Sequence, residues 1–400
     1  KKLNKMKQNK KLKKKKKFCF ITGSRAENGL LKNLIRLSQD DKAKATFLIV
    51  TGSHLSKKFG QTINEIKEDK IKVAKKINIL QNNDSPISIL KSTSVAIQKI
   101  SNELIKIKPD LIIILGDRYE IFASAIAASF LRIPICHFHG GERTEGNIDE
   151  FMRHSITKMS SLHFVSNEVY KKRVIQLGEQ PKQVFNVGAL GVEAIKKVNF
   201  LSKKKLEKDL DINFKNKIFL VTFHPVTLDN QSSVKIFKNI LSILDRFKYV
   251  TIIFTSPNAD MDNRIIIDLI KKYVSLNNNS YFFKSLGQQK YYSLLNIATL
   301  VIGNSSSGVI EVPHFKLPSI NIGDRQKGRI IPKSVVNCSS SSVSILKAIN
   351  YALSKKHQNI CKKKIDLNKK NQTALNSYKI INKKILDLKI KKEFFDIKFK

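Results

Sequence analysis

The N-terminal half of the chain alternates between short apolar runs and longer amphipathic segments. Short apolar runs bounded by turn residues are typical of buried strands, and apolar residues at helical spacing predict amphipathic helices. The runs predict six strands, at 18–22, 46–51, 111–115, 133–138, 162–165 and 184–187. Helices are predicted between them, for example at 30–38, 93–107 and 119–130. This alternation predicts βαβ units and a parallel sheet.

The pattern starts again after Gly188. A polar segment at 203–209 precedes a second set of predicted strands, at 218–222, 250–255, 281–283, 300–302 and 319–322. The fold class predicted is therefore α/β, with two Rossmann-like, doubly wound domains that face a central cleft and are joined near 189–205. The predicted limits are a basic head expected to be disordered (1–17), a first domain with catalytic acids (18–195), a nucleotide-binding second domain (196–360) and a Lys-rich, partly helical tail (361–400).

Composition adds one question, because the 400 residues carry a formal net charge of +42. Residues 1–17 contain 11 lysines and no acid, and residues 355–400 contain 15 lysines against 4 acids. More than half of the excess charge therefore lies at the two ends. The chain has no Trp and no interleaved aromatic and basic residues of the kind that stack nucleic-acid bases. We interpret the charge as compositional bias, with no nucleic-acid partner, although a basic surface attracts an anionic nucleotide-sugar.

Membrane and redox features point to a cytoplasmic protein. The longest apolar stretch, 121–135, contains Arg132 and is too short to span a bilayer, so no membrane partner is predicted. The apolar run at 18–21 is too short for the core of a signal peptide. The cysteines show neither CxxC spacing nor a disulfide framework, which fits a reducing compartment. They are Cys19, Cys136, Cys338 and Cys361.

A small, hydroxyl-rich turn, Gly303-Asn304-Ser305-Ser306-Ser307-Gly308-Val309-Ile310-Glu311, follows the predicted strand at 300–302 and opens a helix. The first turn of a helix offers unpaired N–H groups and a positive dipole end to an anion. Ser305 and Ser306 can add hydroxyl donors to phosphate, and Glu311, one helical turn later, can accept from a ribose diol. These residues favour a nucleoside diphosphate held without a P-loop lysine. An ordinary Ser-capped helix is the alternative.

Two further loops follow strands of the first domain. Gly116-Asp117-Arg118-Tyr119-Glu120 places a carboxylate suited to proton transfer beside a guanidinium suited to an anion, with a structural ion pair as the alternative. The loop Ser24-Arg25-Ala26-Glu27 lacks G-x-G-x-x-G spacing, so no bound NAD is predicted. Arg25 is placed to contact a phosphate or to face solvent.

The densest polar cluster, residues 137–150, contains two histidines and four carboxylates after another buried strand. His137 and His139 lie two apart, which in an extended strand directs both to one face. Local spacing supplies no third metal ligand, so the cluster favours acid/base chemistry and no metal is predicted. His54, His224, Asn258 and Arg325 also end predicted strands or follow them. His224 and Asn258 are candidates for contact with nucleotide or sugar. His54 is placed to touch substrate or to cap the next helix, and Arg325 to reach a diphosphate or to belong to a basic surface loop.

Taken in order, the motifs resemble those of the hydrolysing UDP-N-acetylglucosamine 2-epimerases of sialic-acid-type biosynthesis, from about Phe18 to the helix after Glu311. The matching segments are Ser24-Arg25-Ala26-Glu27, Thr51-Gly52-Ser53-His54-Leu55, Gly116-Asp117-Arg118-Tyr119-Glu120, His139-Gly140-Gly141-Glu142, Ile148-Asp149-Glu150, Arg153-His154-Ser155-Ile156-Thr157-Lys158, His224-Pro225-Val226, Pro257-Asn258-Ala259-Asp260, Gly303-Asn304-Ser305-Ser306-Ser307-Gly308 and Arg325-Gln326-Lys327-Gly328-Arg329.

The resemblance implies a GT-B fold and a homodimer. It also implies elimination of UDP across C1–C2 of UDP-N-acetylglucosamine, or of a 2,4-diacetamido analogue, followed by hydration to a free N-acetylmannosamine-type sugar. Neither metal nor NAD is needed for that chemistry, so no cofactor is predicted. The alternatives are a non-hydrolysing epimerase or GT-B glycosyltransferase and, more remotely, a nucleic-acid-binding protein.

The resemblance also implies roles for individual residues. Asp117 and Asp149 match carboxylates assigned to proton transfer at C2 or to the hydration step, and Arg118 and His224 match residues near the sugar and diphosphate. Among the remaining positions, Arg25, Ser305, Ser306 and Arg325 match diphosphate contacts, Glu311 matches the ribose contact and Asn258 is assigned to UDP binding. His139 stands where some members have a third catalytic carboxylate, so either Glu142 or His139 takes that role. Asn28 replaces an aromatic residue of the first loop.

Overall fold

A computed structural model describes residues 15–81, 83–226, 232–257, 263–363, 370 and 372–398. The thirteen strands within these ranges are β1 Lys16–Thr22, β2 Lys44–Thr51, β3 Lys75–Ile77, β4 Leu111–Leu115, β5 Ile135–Phe138, β6 Leu162–Val165, β7 Val184–Asn186, β8 Lys217–Thr222, β9 Val250–Thr255, β10 Ser280–Phe283, β11 Leu300–Gly303, β12 Ser319–Ile322 and β13 Val335–Cys338.

The described α-helices are α1 Arg25–Asp40, α2 Ile63–Glu68, α3 Pro86–Ile107, α4 Tyr119–Phe130, α5 Asp149–Met159, α6 Glu168–Gln176, α7 Leu190–Lys197, α8 Lys203–Leu210, α9 Ser233–Leu244, α10 Asn263–Leu276, α11 Gly287–Ile297, α12 Ser306–Ile310, α13 Ser342–Leu353, α14 Lys355–Lys362 and α15 Thr373–Lys384.

These strands form two parallel sheets, which confirms the predicted α/β class. The first has the order β3-β2-β1-β4-β5-β6-β7 and the second has the order β10-β9-β8-β11-β12-β13. Apolar side chains pack on both faces of each sheet, as continuous apolar strands require when helices cover them on both sides. The strand order reverses between β1 and β4 and between β8 and β11, and ligands bind such sheets at these points.

Two edge strands, β3 and β13, were not predicted. β3 has only three residues, and its two lysines are exposed, while β13 has one buried residue, Val335, and is half-buried or exposed at the other three. Edge strands carry little apolar signal because only part of their surface is buried. β1 in turn begins earlier than predicted, at Lys16, because Asp110 accepts from Lys16 Nζ (2.9 Å) and from the Lys17 backbone N–H (2.8 Å).

Residues 1–14 of the predicted basic head lie outside the described residues. Within the tail, α15 packs against the first sheet's helical layer, where Ala374 and Ile381 are fully buried. Tyr378 Oη donates to Asp41 (2.7 Å), and the Ala374 backbone N–H donates to Glu193 (2.6 Å). The C-terminal helix therefore returns to the first half of the chain. The domain limits drawn from the sequence stay a prediction.

Candidate active site

The two sheets face each other across a cleft of about 570 Å³, which both halves of the chain line. Its walls come from loops at the carboxyl ends of strands, where the strand order predicts a site. Eleven of the twelve predicted site residues line this cleft, namely Arg25, Asp117, Arg118, His139, Glu142, Asp149, His224, Ser305, Ser306, Glu311 and Arg325. The twelfth, Asn258, lies outside the described residues.

Asp117 lies just after β4 and is held by an arginine that received no role in the sequence analysis. Arg153, on α5 and 1% exposed, donates from Nη2 to the Asp117 carboxylate and to Thr144 Oγ1 (2.9 Å). Its Nη1 donates to Glu150 Oε2 (2.8 Å) and to the Glu142 carbonyl (3.1 Å). Burial favours the neutral guanidine, but the surrounding carboxylates outweigh it and hold the pKa of Arg153 above its usual range.

Asp149 opens α5, one helical turn before Arg153, and this spacing is the signal that could have identified the arginine. A carboxylate in the first turn is favoured by the helix dipole. Glu150, the next residue, accepts from the Thr144 backbone N–H (2.5 Å) and from His154 Nε2 (2.9 Å). Burial opposes its ionisation, but these hydrogen bonds and Arg153 lower the pKa of Glu150 to about 2.

His139 and Glu142 form a pair beyond the end of β5. His139 Nδ1 and Glu142 Oε1 lie 3.0 Å apart. The other Glu142 oxygen forms an ion pair with Arg329, which comes from the second half of the chain. Burial opposes ionisation of Glu142, but Arg329 and His139 hold its pKa well below the usual range. Arg329 was part of a recognised motif but had no predicted role.

The two histidines of this cluster do not share surroundings, contrary to the strand-alternation argument. His137 is fully buried in β5, where Nε2 lies 2.8 Å from the Gly116 carbonyl oxygen. His139 lies past the strand in a left-handed conformation (φ +66°), so the alternation of β5 does not extend to it. Within the described ranges, no group of three or more His, Cys, Asp or Glu residues is arranged to hold a metal ion.

Arg118 is 8% exposed and lies near two buried acids, Glu27 and Glu120, for which no role was predicted. Its Nε donates to Glu120 Oε1 (3.2 Å), and Glu120 is fully buried. The room for Glu120 comes from glycine: a Cβ at Gly23 would lie 3.0 Å from it, and one at Gly52 only 2.7 Å from Oε1. Burial and then repulsion from Glu120 raise the pKa of Glu27, which lines the cleft, to about 8.

The second wall is built around the turn after β11. A Cβ at Gly303 (φ +145°) would lie 1.9 Å from the Thr222 carbonyl oxygen, so this position requires glycine. Asn304 donates from Nδ2 to the His224 carbonyl (2.8 Å) and accepts from the His224 backbone N–H (2.7 Å). Its own carbonyl accepts from Arg325 Nη1 (3.1 Å). Asn304 therefore holds both the His224 backbone and the Arg325 side chain beside this turn.

The helix after this turn, α12, has only five residues, and Ser305 caps it by accepting from the Ser307 backbone N–H (3.4 Å). Glu311 follows the last turn, where Tyr292 Oη donates to its Oε1 (2.7 Å). Burial, then the Glu311 charge, raises the pKa of Tyr292 well above its usual range, so Tyr292 donates this hydrogen bond. Tyr292 orients Glu311 and was not predicted.

Arg25 links the two halves of the chain at the mouth of the cleft. Its Nη1 donates to Ser285 Oγ (3.1 Å), which donates in turn to Glu65 Oε1 (2.5 Å). His54, in contrast, is fully buried between Thr22 Oγ1 (3.1 Å) and Thr62 Oγ1 (2.8 Å). Burial lowers the pKa of His54 to about 3, so it supports the loop after β2 as a neutral side chain.

The family model described as UDP-N-acetylglucosamine 2-epimerase matches residues 36–381. The chain belongs to the UDP-N-acetylglucosamine 2-epimerase family. A GDP/UDP-N,N'-diacetylbacillosamine 2-epimerase (hydrolyzing) of Campylobacter jejuni is 47% identical over 81% of this chain and 84% of its own. The polysialic acid biosynthesis protein P7 of Escherichia coli is 40% identical (96% and 98%), and a UDP-N,N'-diacetylbacillosamine 2-epimerase (hydrolyzing) of Legionella pneumophila is 32% identical (85% and 89%).

Solved structures of this epimerase family share the fold. The UDP-GlcNAc 2-epimerase of Neisseria meningitidis bound to UDP-GlcNAc is 19% identical with a TM-score of 0.75, covering 92% of this chain and 99% of that one. The Methanocaldococcus jannaschii enzyme in complex with UDP-GlcNAc and UDP gives the same identity, TM-score and coverage. The GT-B architecture and the family membership implied by the motifs are therefore confirmed.

Proposed function

We propose that this protein is a hydrolysing 2-epimerase that converts a nucleoside-diphosphate-linked 2-acetamido sugar into the nucleoside diphosphate and a free N-acetylmannosamine-type sugar. The observation that carries the proposal is that one cleft is lined both by the carboxylate–histidine cluster and by the turn Gly303–Glu311. The first suits proton transfer and the second suits a nucleotide. The names of the relatives, two of them hydrolysing epimerases, support the same reaction.

The sugar reacts at C1 and C2. A base removes the C2 proton while the C1–O bond breaks, and the electron pair of that bond leaves with the diphosphate. Asp117 and Asp149 are the proposed proton-transfer groups at C2, because inversion there removes the proton from one face and returns it to the other. Arg153 orients Asp117 through the ion pair that its buried guanidinium forms with this carboxylate. Water then adds across the C1–C2 double bond, and the free sugar is released.

The nucleotide lies against the second wall in this proposal. Ser305, Ser306 and Arg325 contact the diphosphate, and Arg25 reaches it from the first half of the chain. Negative charge that develops on the leaving UDP is stabilised by these fixed donors. Glu311, oriented by Tyr292, accepts from the ribose hydroxyls. Asn258 belongs to the same proposed nucleotide site but lies outside the described residues.

For the sugar, we propose a 2,4-diacetamido-6-deoxy substrate in preference to UDP-N-acetylglucosamine, because two of the relatives are named for diacetylbacillosamine. Purified protein is incubated with UDP-N-acetylglucosamine, UDP-diacetylbacillosamine and GDP-diacetylbacillosamine, and products are identified by ¹H and ³¹P NMR. Free sugar and nucleoside diphosphate in equal amounts support hydrolysing epimerisation. A retained nucleotide-sugar epimer points to the non-hydrolysing reaction, and transfer to an acceptor points to a glycosyltransferase.

Amino-acid substitutions distinguish the proposed proton-transfer residues from the proposed nucleotide-binding residues. Asp117→Asn and Asp149→Asn should lose most turnover and still bind UDP, whereas Glu311→Ala should weaken UDP affinity more than it lowers the chemical step. Normal turnover in both aspartate variants, or an unchanged UDP affinity in Glu311→Ala by calorimetry, contradicts the corresponding assignment.

We further propose a cytoplasmic homodimer. The four cysteines are all unpaired, which fits a reducing compartment. None of the helices in the described ranges combines the length and apolar character needed to cross a membrane. Apolar side chains are exposed on the neighbouring helices α3, α4 and α5, and we propose that some of them contact a second copy. They include Ile87, Leu90, Phe130 and Phe151. Light scattering after gel filtration measures the mass in solution, and a monomeric mass contradicts this part of the proposal.

A further inference from the structure

His139 and Glu142 lie in one hydrogen-bonded pair but are suited to different roles. Glu142 is 3% exposed, and both of its oxygens are engaged, one by His139 Nδ1 at 3.0 Å and the other by Arg329. A buried carboxylate held ionised by a guanidinium is a weak proton acceptor. It is, however, an effective acceptor for an imidazole N–H, and such a contact fixes both the tautomer and the direction of the ring.

The second ring nitrogen of His139 is the atom left for chemistry. Nε2 is buried, and it has no hydrogen-bond partner among the described residues. Because ionised Glu142 can only accept, Nδ1 carries a proton, and in the neutral imidazole Nε2 then carries the lone pair. The ring lines the cleft, and its left-handed backbone (φ +66°) holds it outside the regular strand. Strained backbone at such a position is typical of functional sites.

The proposed reaction moves protons at three places. One leaves C2 during elimination, one returns to the opposite face of C2, and one leaves the water that adds to C1. Asp117 and Asp149 are assigned to C2, which leaves the water without a base. His139 lies in the same cleft, where Arg153 holds both the Asp117 carboxylate and the backbone carbonyl of Glu142.

We propose that His139 Nε2 is the general base that activates water in the hydration step, and that Glu142 is its positioning residue. This inference rests on the proposed function. A carboxylic acid gives its proton to C2 of the glycal intermediate, the water oxygen bonds to C1, and the water proton moves to Nε2. The imidazolium then returns the proton to the carboxylate through solvent. The net reaction is glycal plus water to free sugar, with no other reactant.

Arg329 makes this arrangement depend on both halves of the chain. It reaches Glu142 from the segment that follows β12, and the Lys327 carbonyl in the same segment accepts from the Glu145 backbone N–H (3.1 Å). The Glu142 charge that orients His139 is therefore balanced in part by a residue from the second half of the chain.

The test is a single-turnover reaction of His139→Asn with the substrate that the wild-type enzyme accepts, quenched at intervals and analysed for UDP, glycal and free sugar. Asparagine keeps a donor near Nδ1 but provides no base. Elimination should continue within a few-fold of wild type, glycal should accumulate to the enzyme concentration, and free-sugar formation should fall about 100-fold or more, the usual contribution of a general base. If UDP formation falls as far as free-sugar formation and no glycal appears, the assignment is wrong.

A matched control is His163→Asn. His163 forms a similar buried pair with Glu179 (2.9 Å), but neither residue lines the cleft. This variant should form UDP and free sugar in equal amounts without glycal. Glycal accumulation in the control would overturn the argument, because any buried His–Glu pair would then give the same result.

The wild-type protein supplies a measurement that does not depend on how the variants fold. Long-range ¹H–¹⁵N spectra should show His139 protonated at Nδ1 and unprotonated at Nε2, and Glu142→Gln should shift the ring towards the other tautomer. Imidazole should restore free-sugar formation to His139→Ala. A wild-type ring protonated only at Nε2 overturns the inference. If the wild-type protein forms no UDP and free sugar from any nucleotide-sugar, the proposed function fails with it, whereas an active enzyme with an indifferent His139 refutes the inference alone.

Discussion

Replacing Arg153 with Met should cost about 3–5 kcal/mol of the free energy of unfolding. The side chain is 1% exposed and donates to the carboxylates of Asp117 and Glu150 as well as to Thr144. Removing this buried guanidinium leaves the partly buried side chains of Asp117 and Glu150 (20% and 15% exposed) without compensation, and breaking a buried pair costs about 3–5 kcal/mol. This is a large share of the roughly 5–15 kcal/mol that holds a typical domain together. Turnover should fall too, because Asp117 loses the contact that orients it.

Urea unfolding followed by far-UV circular dichroism measures the loss. The matched control is Arg36→Met, because Arg36 pairs with Asp69 at 3.0 Å but is 43% exposed, and surface pairs contribute about 0–1 kcal/mol. The double variant with Asp117→Asn should be more stable than the sum of the single losses predicts, since the carboxylate left unpaired is gone. A loss below about 1 kcal/mol for Arg153→Met, or strict additivity with Asp117→Asn, would refute the reasoning.

Two further predictions concern Gly303 and Glu27. Gly303→Ala should abolish UDP binding and lower the melting temperature, because its Cβ would meet the Thr222 carbonyl oxygen at 1.9 Å. The control is Gly308→Ala, which should keep the wild-type melting temperature because the nearest contact of its Cβ is an ordinary 3.8 Å. Equal melting temperatures for the two variants contradict this prediction. The raised pKa of Glu27, about 8 against an ordinary 4.5, means that the folded protein binds one more proton than the unfolded chain between those pH values, so this group makes stability fall as pH rises through that window. Glu27→Gln should remove that fall and gain stability over wild type at pH 9 relative to pH 5, as measured by urea unfolding; parallel pH profiles would show that Glu27 ionises normally.

The sequence was most informative where a feature depends on neighbouring residues alone. β4, β6, β9 and β12 have the predicted limits, because each is buried along its whole length, contains apolar residues and ends where turn residues begin. The site loops were found for the same reason, since polar residues directly after such strands must lie at the carboxyl edge of the sheet.

Contacts between distant segments could not be predicted in this way. Nothing local to Arg329 indicates that it pairs with Glu142, and nothing near Gly52 indicates that its missing Cβ makes room for Glu120. The return of the tail to the first sheet is similar, because Tyr378 finds Asp41 across more than three hundred residues. Such pairs are selected by the assembled fold, and a single sequence carries no spacing rule for them.

The pKa values of Glu142 and Glu27 depend on the arginine side chains near them. Glu142 has Arg329 as an ion-pair partner, and its pKa lies well below the ordinary range although it is buried. Glu27 and Glu120 lie close together near the single guanidinium of Arg118, and there the pKa of Glu27 rises to about 8. Burial acts in the same direction on both carboxyls, so the difference comes from their charged neighbours. A cleft can therefore hold many acids and still contain both a permanent anion, such as the Glu142 carboxylate that orients His139, and a carboxyl that keeps its proton at neutral pH.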